Sequence, residues 1–281
     1  METGLWQRRV FVMEGKPMNV EVLVSAVNQS LKDIAERMGL ESDAIVINQT
    51  DYFGYEEYEL SSGNSIKKIK CYCFAERGVG LSRNNALMRA CGDILLFSDE
   101  DIVYDSGYVD KILGEFAKHP KADFLLFNMR VGESRATYYT EKFHRVHIWN
   151  AGRYPTYSFA VRRDKLQAAN ITFSLLFGGG AKYSNGEDSL FLRDCLKHGL
   201  KVYAVPVEIG EEQERESTWF KGYTEKFFLD RGVLYHFLYG RLAYFMAVRF
   251  VVVHGNVMCG EIPPKTALQL MKKGIRSVRD F

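Results

Sequence analysis

An unbroken apolar run at residues 94–97 is followed, after one serine, by three acidic side chains. The run starts just after Gly92 and is too short for a core helix, so it predicts a strand buried on both faces, as in a parallel sheet. Because charged groups cannot continue into the core, Asp99, Glu100 and Asp101 are expected at the carboxyl end of this strand. Ligands of open α/β sheets bind at that edge.

The acidic cluster also suggests a metal site. Asp99 and Asp101 are two positions apart, so in extended backbone their carboxylates project to the same side. Hard oxygen ligands with no nearby histidine or cysteine suit Mg²⁺ or Mn²⁺, which bind through one or two carboxylates together with substrate phosphates. The alternative interpretation is a solvated acidic turn after a strand.

Strand-like and helix-like segments alternate through the first two thirds of the chain, which predicts an α/β fold with a mostly parallel sheet and right-handed crossovers. Strands are expected at residues 20–24, 44–47, 70–75, 94–97, 124–128, 157–161 and 201–205. Helices are expected at residues 30–38, at residues 82–90 with Ser82 as N-cap, from residue 164, and at residues 187–198. The polar, tyrosine-rich residues 51–64 are predicted to form a loop.

Composition excludes some classes of function. The 37 basic and 35 acidic residues give a net charge of +2, which argues against a nucleic-acid partner. Five cysteines are scattered without zinc-like spacing, so we expect reduced thiols and a cytoplasmic location. We recognise no secretory signal, and no apolar run approaches the ~18–20 residues that a membrane span needs.

Two glycines precede the helix predicted near residue 82. Gly78 and Gly80 would let backbone approach a ligand closely, and the helix N-terminus behind them favours anions. Arg83 in the first turn is unfavourable for the helix dipole, a conflict that a bound diphosphate would remove. An ordinary surface arginine after a glycine turn is the alternative.

A second acidic pair lies at the start of the helix predicted at residues 187–198. Ser184 and Glu187 fit a capping box, and acids are favoured in a first helical turn in any case. The glycine loop at residues 178–180 could instead place the carboxylate of Glu187 or Asp188 beside a cleft. Both interpretations stay open from these residues alone.

Taken in order, these segments resemble the family-2 glycosyltransferases of the GT-A fold over about residues 20–207. The motifs that support the resemblance are residues 22–28 at the first strand, residues 80–86 at the glycine-led helix start, residues 92–101 at the Asp-x-Asp strand, and residues 186–191 at the Glu-Asp segment. The Asp-Asp-Gly-Ser turn typical of the family is replaced by residues 48–51. The identity of the nucleobase therefore stays open. The Gln-x-x-Arg-Trp signature of processive synthases is absent, so we expect one sugar to be added per event.

The resemblance implies an inverting transfer from a nucleotide-diphosphate sugar, UDP being favoured, to a hydroxyl of a glycan or lipid-linked acceptor in surface-polysaccharide or glycolipid synthesis. It implies Asp188 as catalytic base, and Mn²⁺ or Mg²⁺ held by Asp99 and Asp101. The implied donor contacts are Ser25, Val27, Asn28, Asn48, Gly80, Arg83, Asn84, Asp99 and Glu100. The acceptor contacts we expect are Glu187, Trp149, Tyr157 and Trp219, with Tyr154 as a further aromatic candidate.

The resemblance also suggests a domain organisation. We expect an N-terminal extension at residues 1–17, a GT-A catalytic domain at residues 18–210 and a helical C-terminal region at residues 211–281. Residues 219–253 mix aromatic and aliphatic side chains with lysines and arginines. This pattern is typical of packed helices, of a dimer contact, or of a basic amphipathic surface on an anionic membrane. It does not predict an oligomeric state.

Two other functions remain as alternatives. One is a sugar-nucleotide or glycan-binding module without catalysis. The other is a haloacid-dehalogenase-like phosphatase, in which Asp99 would be the nucleophile beside Mg²⁺.

Overall fold

The computed structural model describes residues 18–62, 65–132, 138–213 and 222–278. The strands are β1 (Val20–Val27), β2 (Asp43–Gln49), β3 (Gly54–Ser62), β4 (Ser65–Phe74), β5 (Ile94–Asp99), β6 (Ile102–Tyr104), β7 (Phe124–Arg130), β8 (His144–Arg145), β9 (Phe159–Arg162) and β10 (Val202–Glu212). The helices are α1 (Leu31–Arg37), α2 (Val79–Arg89), α3 (Tyr108–Lys118), α4 (Arg163–Ala169), α5 (Glu187–Lys197), α6 (Glu225–Tyr239), α7 (Ala243–Met258) and α8 (Pro264–Ser277).

The strands form one mixed sheet in the order β3-β4-β2-β1-β5-β9-β7-β10-β6, and β8 pairs with β10. The strands β4, β2, β1 and β5 are parallel to one another, as are β7 and β10. The pairs of β9 with β5 and β7, of β10 with β6 and β8, and of β3 with β4 are antiparallel. The prediction of an α/β fold with flanking helices and a helical C-terminal region is therefore confirmed.

The central strands are buried on both faces, which explains their unbroken apolar runs. Val24 of β1 and Leu96 of β5 belong to the core on one face of the sheet. Their neighbours Leu23 and Phe97 belong to the core on the other face. Because a strand alternates its side chains between faces, every position in such a strand must be apolar until the strand leaves the core.

The predicted loop at residues 51–64 is wrong from Gly54 onward. Residues Gly54–Ser62 form β3, an edge strand paired antiparallel with β4. Tyr58 and Leu60 pack against the core, while Glu57 and Glu59, which alternate with them, are exposed. An edge strand needs only one apolar face, and its charged residues discourage pairing with another chain. Residues 63–64 lie outside the described part of the chain.

The three C-terminal helices form a core of their own. Phe228 and Val233 of α6 are buried with Met271 and Ile275 of α8. A Cβ added to Gly232 would come 2.1 Å from the carbonyl oxygen of Met271, so the two helix backbones approach as closely as glycine allows. The domain boundary at residue 211 stays a prediction, and the predicted extension at residues 1–17 lies outside the described residues.

Candidate active site

A single buried arginine joins the three polar segments that the sequence singled out. Arg83 of α2 is 4% exposed. Its Nη2 donates to Oδ1 of Asp99 at the end of β5, and its Nη1 donates to Oε1 of Glu187 at the start of α5, both at 2.9 Å. The Asp-x-Asp strand, the glycine-led helix and the Glu-Asp helix therefore meet at one point. This point lies at the carboxyl edge of the parallel strands, where the acidic cluster was expected.

The arginine is held in its charged form by these partners. Burial disfavours the guanidinium, but the charges of Asp99 and Glu187 outweigh that effect and raise the pKa of Arg83. Two carboxylates around one cation leave the cluster with one excess negative charge. Nε of Arg83 is buried and has no hydrogen-bond partner among the described residues. The guanidinium also lies 5.4 Å from the ring of Phe173, which closes one side.

Asp188 has the environment of a group that accepts a proton near neutral pH. Burial, and then the neighbouring charge of Glu187, raise the pKa of Asp188 to about 6. Its Oδ1 accepts hydrogen bonds from the backbone N of Ser189 at 2.6 Å and from the Ser189 hydroxyl at 3.2 Å. These donors oppose the shift but do not cancel it. A carboxyl with a raised pKa in a polar cluster is a candidate general base.

Helix α5 begins differently from the predicted capping box. Its N-cap is Gly186, with a φ of +110°, and no side chain caps the helix. Ser184 instead donates from both its backbone N and its hydroxyl to Oδ2 of Asp230 in α6, at 3.0 Å. A Cβ on Gly186 would come 2.4 Å from Leu234, so only glycine lets this helix start against α6. The C-terminal helices thus position the segment that carries Glu187 and Asp188.

The glycines near α2 pack against the chain itself. The N-cap is Gly78, not the predicted Ser82, whose hydroxyl donates to the Ser25 hydroxyl at 3.0 Å. A Cβ on Gly80 would come 2.3 Å from the carbonyl oxygen of Ser174. A Cβ on Gly178 would come 2.8 Å from the carboxyl of Glu187. These contacts bring the glycine loop between the start of α2 and the start of α5.

Two asparagines predicted to contact the donor make backbone hydrogen bonds. Asn48 accepts from the N of Gln29 at 3.1 Å and donates to its carbonyl oxygen at 2.7 Å. Asn84 accepts from the N of Phe173 at 2.7 Å and donates to its carbonyl oxygen at 2.9 Å. The two amides therefore tie the loop at Gln29 to β2 and the loop at Phe173 to α2. Neither role was expected from the sequence, since both partners are backbone groups.

The turn after β1 is bonded to the acidic cluster. The backbone N of Val27 donates to Oε2 of Glu100 at 2.7 Å, and Nε2 of Gln29 donates to Oε1 of Glu100 at 3.4 Å. Asn28 between them has a φ of +50°, a left-handed conformation that asparagine tolerates. The turn predicted to contact the nucleotide thus lies next to Glu100.

The carboxylates after β5 fit a divalent cation only in part. Asp99 is paired with Arg83 but its side chain stays 34% exposed, and Asp101 follows in the turn to β6. Among the described residues, no group of three or more His, Cys, Asp or Glu side chains is close enough to hold a metal ion. The donor set is therefore one or two carboxylates, which suits Mg²⁺ or Mn²⁺ that complete their coordination with phosphate oxygens.

The predicted acceptor aromatics differ in accessibility. Trp149 is 78% exposed and its ring stacks on His147 at 4.7 Å. Tyr157 is half-buried against the core of the sheet. The further candidate Tyr154 is wrong, because it is 1% exposed and its ring is not accessible to a sugar. Trp219 lies outside the described residues.

The turn that carries Trp149 lies beside α5. A side chain placed on Gly152 would come 3.9 Å from the Ser189 hydroxyl and 3.8 Å from the Tyr239 hydroxyl. This turn, the start of α5 and the end of α6 therefore lie next to one another. The position of Tyr239 beside this turn was not expected from the sequence.

Known proteins resemble this chain in sequence pattern and in fold. The family model for glycosyl transferase family 2 matches residues 25–177, more than half of the chain. Among curated proteins, none matches the sequence. Among solved structures, the fold is similar to that of TarS 1–349 of S. aureus in complex with UDP-GlcNAc, with a TM-score of 0.59, 16% identity, and coverage of 87% of this chain and 74% of that chain.

Two further structures of TarS are also similar in fold to the present chain. TarS 1–349 of S. aureus matches with a TM-score of 0.58, 14% identity, and coverage of 92% of this chain and 83% of that chain. The longer structure of S. aureus TarS matches with a TM-score of 0.58, 15% identity, and coverage of 93% of this chain and 49% of that chain. The present chain therefore spans about half the length of that longer protein.

Proposed function

The chain belongs to glycosyl transferase family 2, and we propose that it transfers one sugar from a UDP-sugar to an acceptor hydroxyl with inversion at the anomeric carbon. Family membership overturns the phosphatase alternative, in which Asp99 would be a nucleophile. The preference for UDP is supported by a protein of similar fold that was crystallised with UDP-GlcNAc. The five cysteines are free thiols, which supports a reducing, cytoplasmic location.

The observation that carries this proposal is the bridge made by Arg83. Asp99 belongs to the edge where a nucleotide diphosphate would bind, and Glu187 is the direct neighbour of the proposed base Asp188. One guanidinium therefore connects the donor side and the acceptor side at 2.9 Å each. A transferase needs both sides in a fixed relation, because the acceptor oxygen must attack opposite the leaving group.

We assign the base to Asp188. Its pKa of about 6 leaves it ionised at neutral pH and able to take the proton of an acceptor hydroxyl as that oxygen attacks the anomeric carbon. One carboxylate oxygen of Glu187 accepts from Arg83, so Glu187 fixes the start of α5 and with it the base, and its second oxygen could contact the acceptor. The leaving UDP departs toward the start of α2, whose helix dipole stabilises the developing charge, and Arg83 offsets part of the negative charge of Asp99 and Glu187 beside it.

The remaining predicted contacts follow from where they lie. Ser25 and Val27 lie at the end of β1 and Asn28 lies in the turn after it, beside Glu100, where they would face the nucleotide. Asn48, Gly80 and Asn84 support the proposed donor side through their contacts with the backbone of neighbouring loops. Trp149 offers an exposed ring for an acceptor sugar, and we retain Tyr157 as a second contact. The acceptor is a glycan or lipid-linked hydroxyl.

Asp99 and Asp101 would hold Mn²⁺ or Mg²⁺. When bound, the ion neutralises charge on the diphosphate as the bond between sugar and phosphate breaks. We expect UDP-sugars to stabilise the protein against heat in the presence of Mn²⁺ and much less in EDTA. A ligand at a hundred times its dissociation constant stabilises by about 2.7 kcal/mol. Asp101→Asn should remove the Mn²⁺-dependent shift in melting temperature.

The control for that experiment is Asp110→Asn, which changes an exposed aspartate on α3. It should leave the Mn²⁺-dependent shift unchanged. Equal stabilisation by UDP-sugar in EDTA and in Mn²⁺ would contradict the metal assignment. Binding of UDP-sugar without any transfer or slow hydrolysis, in every acceptor mixture tested, would favour the non-catalytic alternative.

Asp230 offers a test of the role of the C-terminal helices. Its buried carboxylate accepts from Ser184 and from Lys226, and so holds the segment before α5. Asp230→Asn replaces one acceptor oxygen by a donor and should destabilise the fold by about 1–3 kcal/mol. We also expect transfer to fall with UDP-sugar binding retained, since the base is displaced while the donor side is not. Thermal unfolding and initial rates at saturating donor measure the two effects.

The matched control is Glu225→Gln, which changes an exposed acid at the start of the same helix. It should change neither stability nor rate appreciably. If Asp230→Asn loses stability but keeps the full rate at saturating donor, α6 supports the fold without positioning the base.

A further inference from the structure

We infer that α7 docks on the surface of an anionic lipid bilayer, with the acceptor side of the active site next to it. The assignment of an acceptor side rests on the function proposed above, whereas the docking surface depends only on its own contacts. The surface, called here the α7 face, consists of the exposed apolar residues of the α6–α7 turn and α7 together with Arg241 and Arg249.

Helices α6 and α7 do not form one membrane-spanning rod. Residues 225–258 are long and apolar enough to cross a membrane by length and composition, which the sequence analysis did not expect. In a continuous helix, however, Tyr235 and Phe250 would be about 22 Å apart at 1.5 Å per residue. Their ring centroids lie 5.9 Å apart, and the guanidinium of Arg231 lies 5.3 Å from the Phe250 ring. The chain therefore reverses near Gly240, and α7 folds back on α6.

One side of α7 packs on the protein and the other is exposed. Ala243, Ala247 and Phe250 are buried, at a spacing of three or four residues. The exposed apolar side chains are between 42% and 76% accessible, and they are Leu242, Phe245, Val248, Val252, Val253 and Val257. A contiguous apolar face of this kind on a surface helix marks an interaction site.

The charges of the α7 face favour an anionic lipid surface as its binding partner. No acidic residue occurs from residue 231 to residue 260, whereas Arg241 and Arg249 are exposed on the same helix and its leading turn. Interfacial helices on anionic membranes insert their apolar side chains into the lipid and place their arginines at the headgroups. A second copy packed face to face through α7 would bring like charges together, which disfavours association.

The α7 face continues from the acceptor side of the site. Tyr239, at the end of α6, is the residue whose hydroxyl approaches Gly152 beside the exposed Trp149. Arg241 and Leu242 follow within three residues, and α7 starts directly after them. The start of α7 therefore lies close to the turn that carries Trp149, and a bilayer in contact with α7 would border the proposed acceptor side. This arrangement favours an acceptor hydroxyl that is anchored in the membrane.

Sedimentation of the full chain with vesicles tests the docking. We expect it to pellet with vesicles that contain phosphatidylglycerol, and not with phosphatidylcholine alone, at low salt. Arg241→Glu combined with Arg249→Glu should lower the partition coefficient by at least about 30-fold, since each basic residue near an anionic surface contributes to binding. The matched control reverses two exposed lysines elsewhere, Lys68→Glu with Lys121→Glu, and should keep most of the binding.

The apolar contribution has its own matched pair. Phe245→Ser removes a ring that is 67% exposed in α7, and Phe53→Ser removes one that is 71% exposed in the turn before β3. Only Phe245→Ser should weaken vesicle binding. If both variants bind like the wild type, insertion of the α7 face is contradicted.

Two results would overturn the inference. One is absence of wild-type binding to anionic vesicles at low salt. The other is a lipid-free dimer that Phe245→Ser dissociates, which would make the α7 face an interface between copies. Stabilisation by UDP-sugar with Mn²⁺, measured on the same preparations, reports on the proposed function separately. If UDP-sugar does not stabilise the wild type although vesicle binding is intact, the enzyme assignment is contradicted and the docking inference is unaffected.

Discussion

Asp188→Asn is expected to lower sugar transfer by about 10²–10⁴-fold, the usual contribution of a general base, while UDP-sugar binding is retained. The substitution keeps the size of the side chain and an acceptor oxygen for Ser189, but it cannot take a proton from the acceptor. Initial rates at saturating donor measure the loss, and thermal stabilisation by UDP-sugar measures binding. The control is Asp194→Asn on the same helix, an exposed acid that should leave the rate unchanged.

The same residue predicts the pH dependence. Because the pKa of Asp188 is raised to about 6, transfer should fall as pH is lowered through about 6. The effect of pH on stability through Asp188 is opposite in sign to that of a salt-bridged acid. Between the usual carboxyl range and pH 6 the folded state binds more protons than the unfolded state, so Asp188 makes the fold less stable as pH rises through that window.

Asp188→Asn should therefore raise the melting temperature at pH 7 to 8, and have less effect near pH 4. Each kcal/mol corresponds to about 2–4 °C for a domain of this size. Near-normal turnover of Asp188→Asn with a true acceptor would refute the assignment of the base. A wild-type transfer rate that does not change between pH 5 and pH 7 would also refute the assignment.

The central part of the fold could be predicted from the sequence because its strands are buried on both faces. The run in β5 cannot alternate, and its end is marked by Asp99 as soon as the strand leaves the core. The edge strand β3 could not be predicted in this way. Its residues need only one apolar face, so its glutamates and tyrosines resemble those of a loop.

The site could be predicted as a set of positions but not as a set of contacts. Asp99, Arg83 and Asp188 lie at the ends of predicted elements, which is enough to place them at one edge of the sheet. The pairing of Arg83 with Glu187 spans 104 positions and depends on how closely the glycine loop packs, which no local pattern encodes.

One sequence pattern could have predicted the contact between α6 and the segment before α5. Asp230 is an acid within an aromatic helix and has Lys226 four residues before it, a spacing at which the two side chains meet on one helix face. A lone acid in an apolar stretch is expensive to bury and needs partners. Those partners proved to be Lys226 and the segment before α5, a contact that joins the C-terminal helices to the catalytic edge.

Arg83→Met is expected to destabilise the protein by about 3 kcal/mol, at the lower end of the range for breaking a buried ion pair, because Asp99 is partly exposed. The loss comes from two carboxylates that would face each other without a cation. Urea unfolding measures it, and Arg89→Met, a half-buried arginine on the same helix, is the control.

Arg83→Lys distinguishes charge from geometry. A lysine keeps one positive charge but cannot reach both carboxylates as the planar fork of arginine does. It should recover much of the stability and little of the transfer rate if the bridge aligns the two sides of the site. Recovery of both would reduce Arg83 to a source of positive potential.

The coupling between Arg83 and Glu187 decides whether the bridge acts as a unit. If it does, Glu187→Gln combined with Arg83→Met should cost less stability than the two single substitutions added together, by about 1–3 kcal/mol, because the second change removes a carboxylate already left unpaired. The same cycle applied to the transfer rate at saturating donor should also be non-additive, since either substitution alone releases the start of α5 from the donor side. Additive effects on both quantities would mean that the two 2.9 Å contacts stabilise their own segments independently. The alignment of Asp188 would then depend on α6, through Asp230, and not on the arginine.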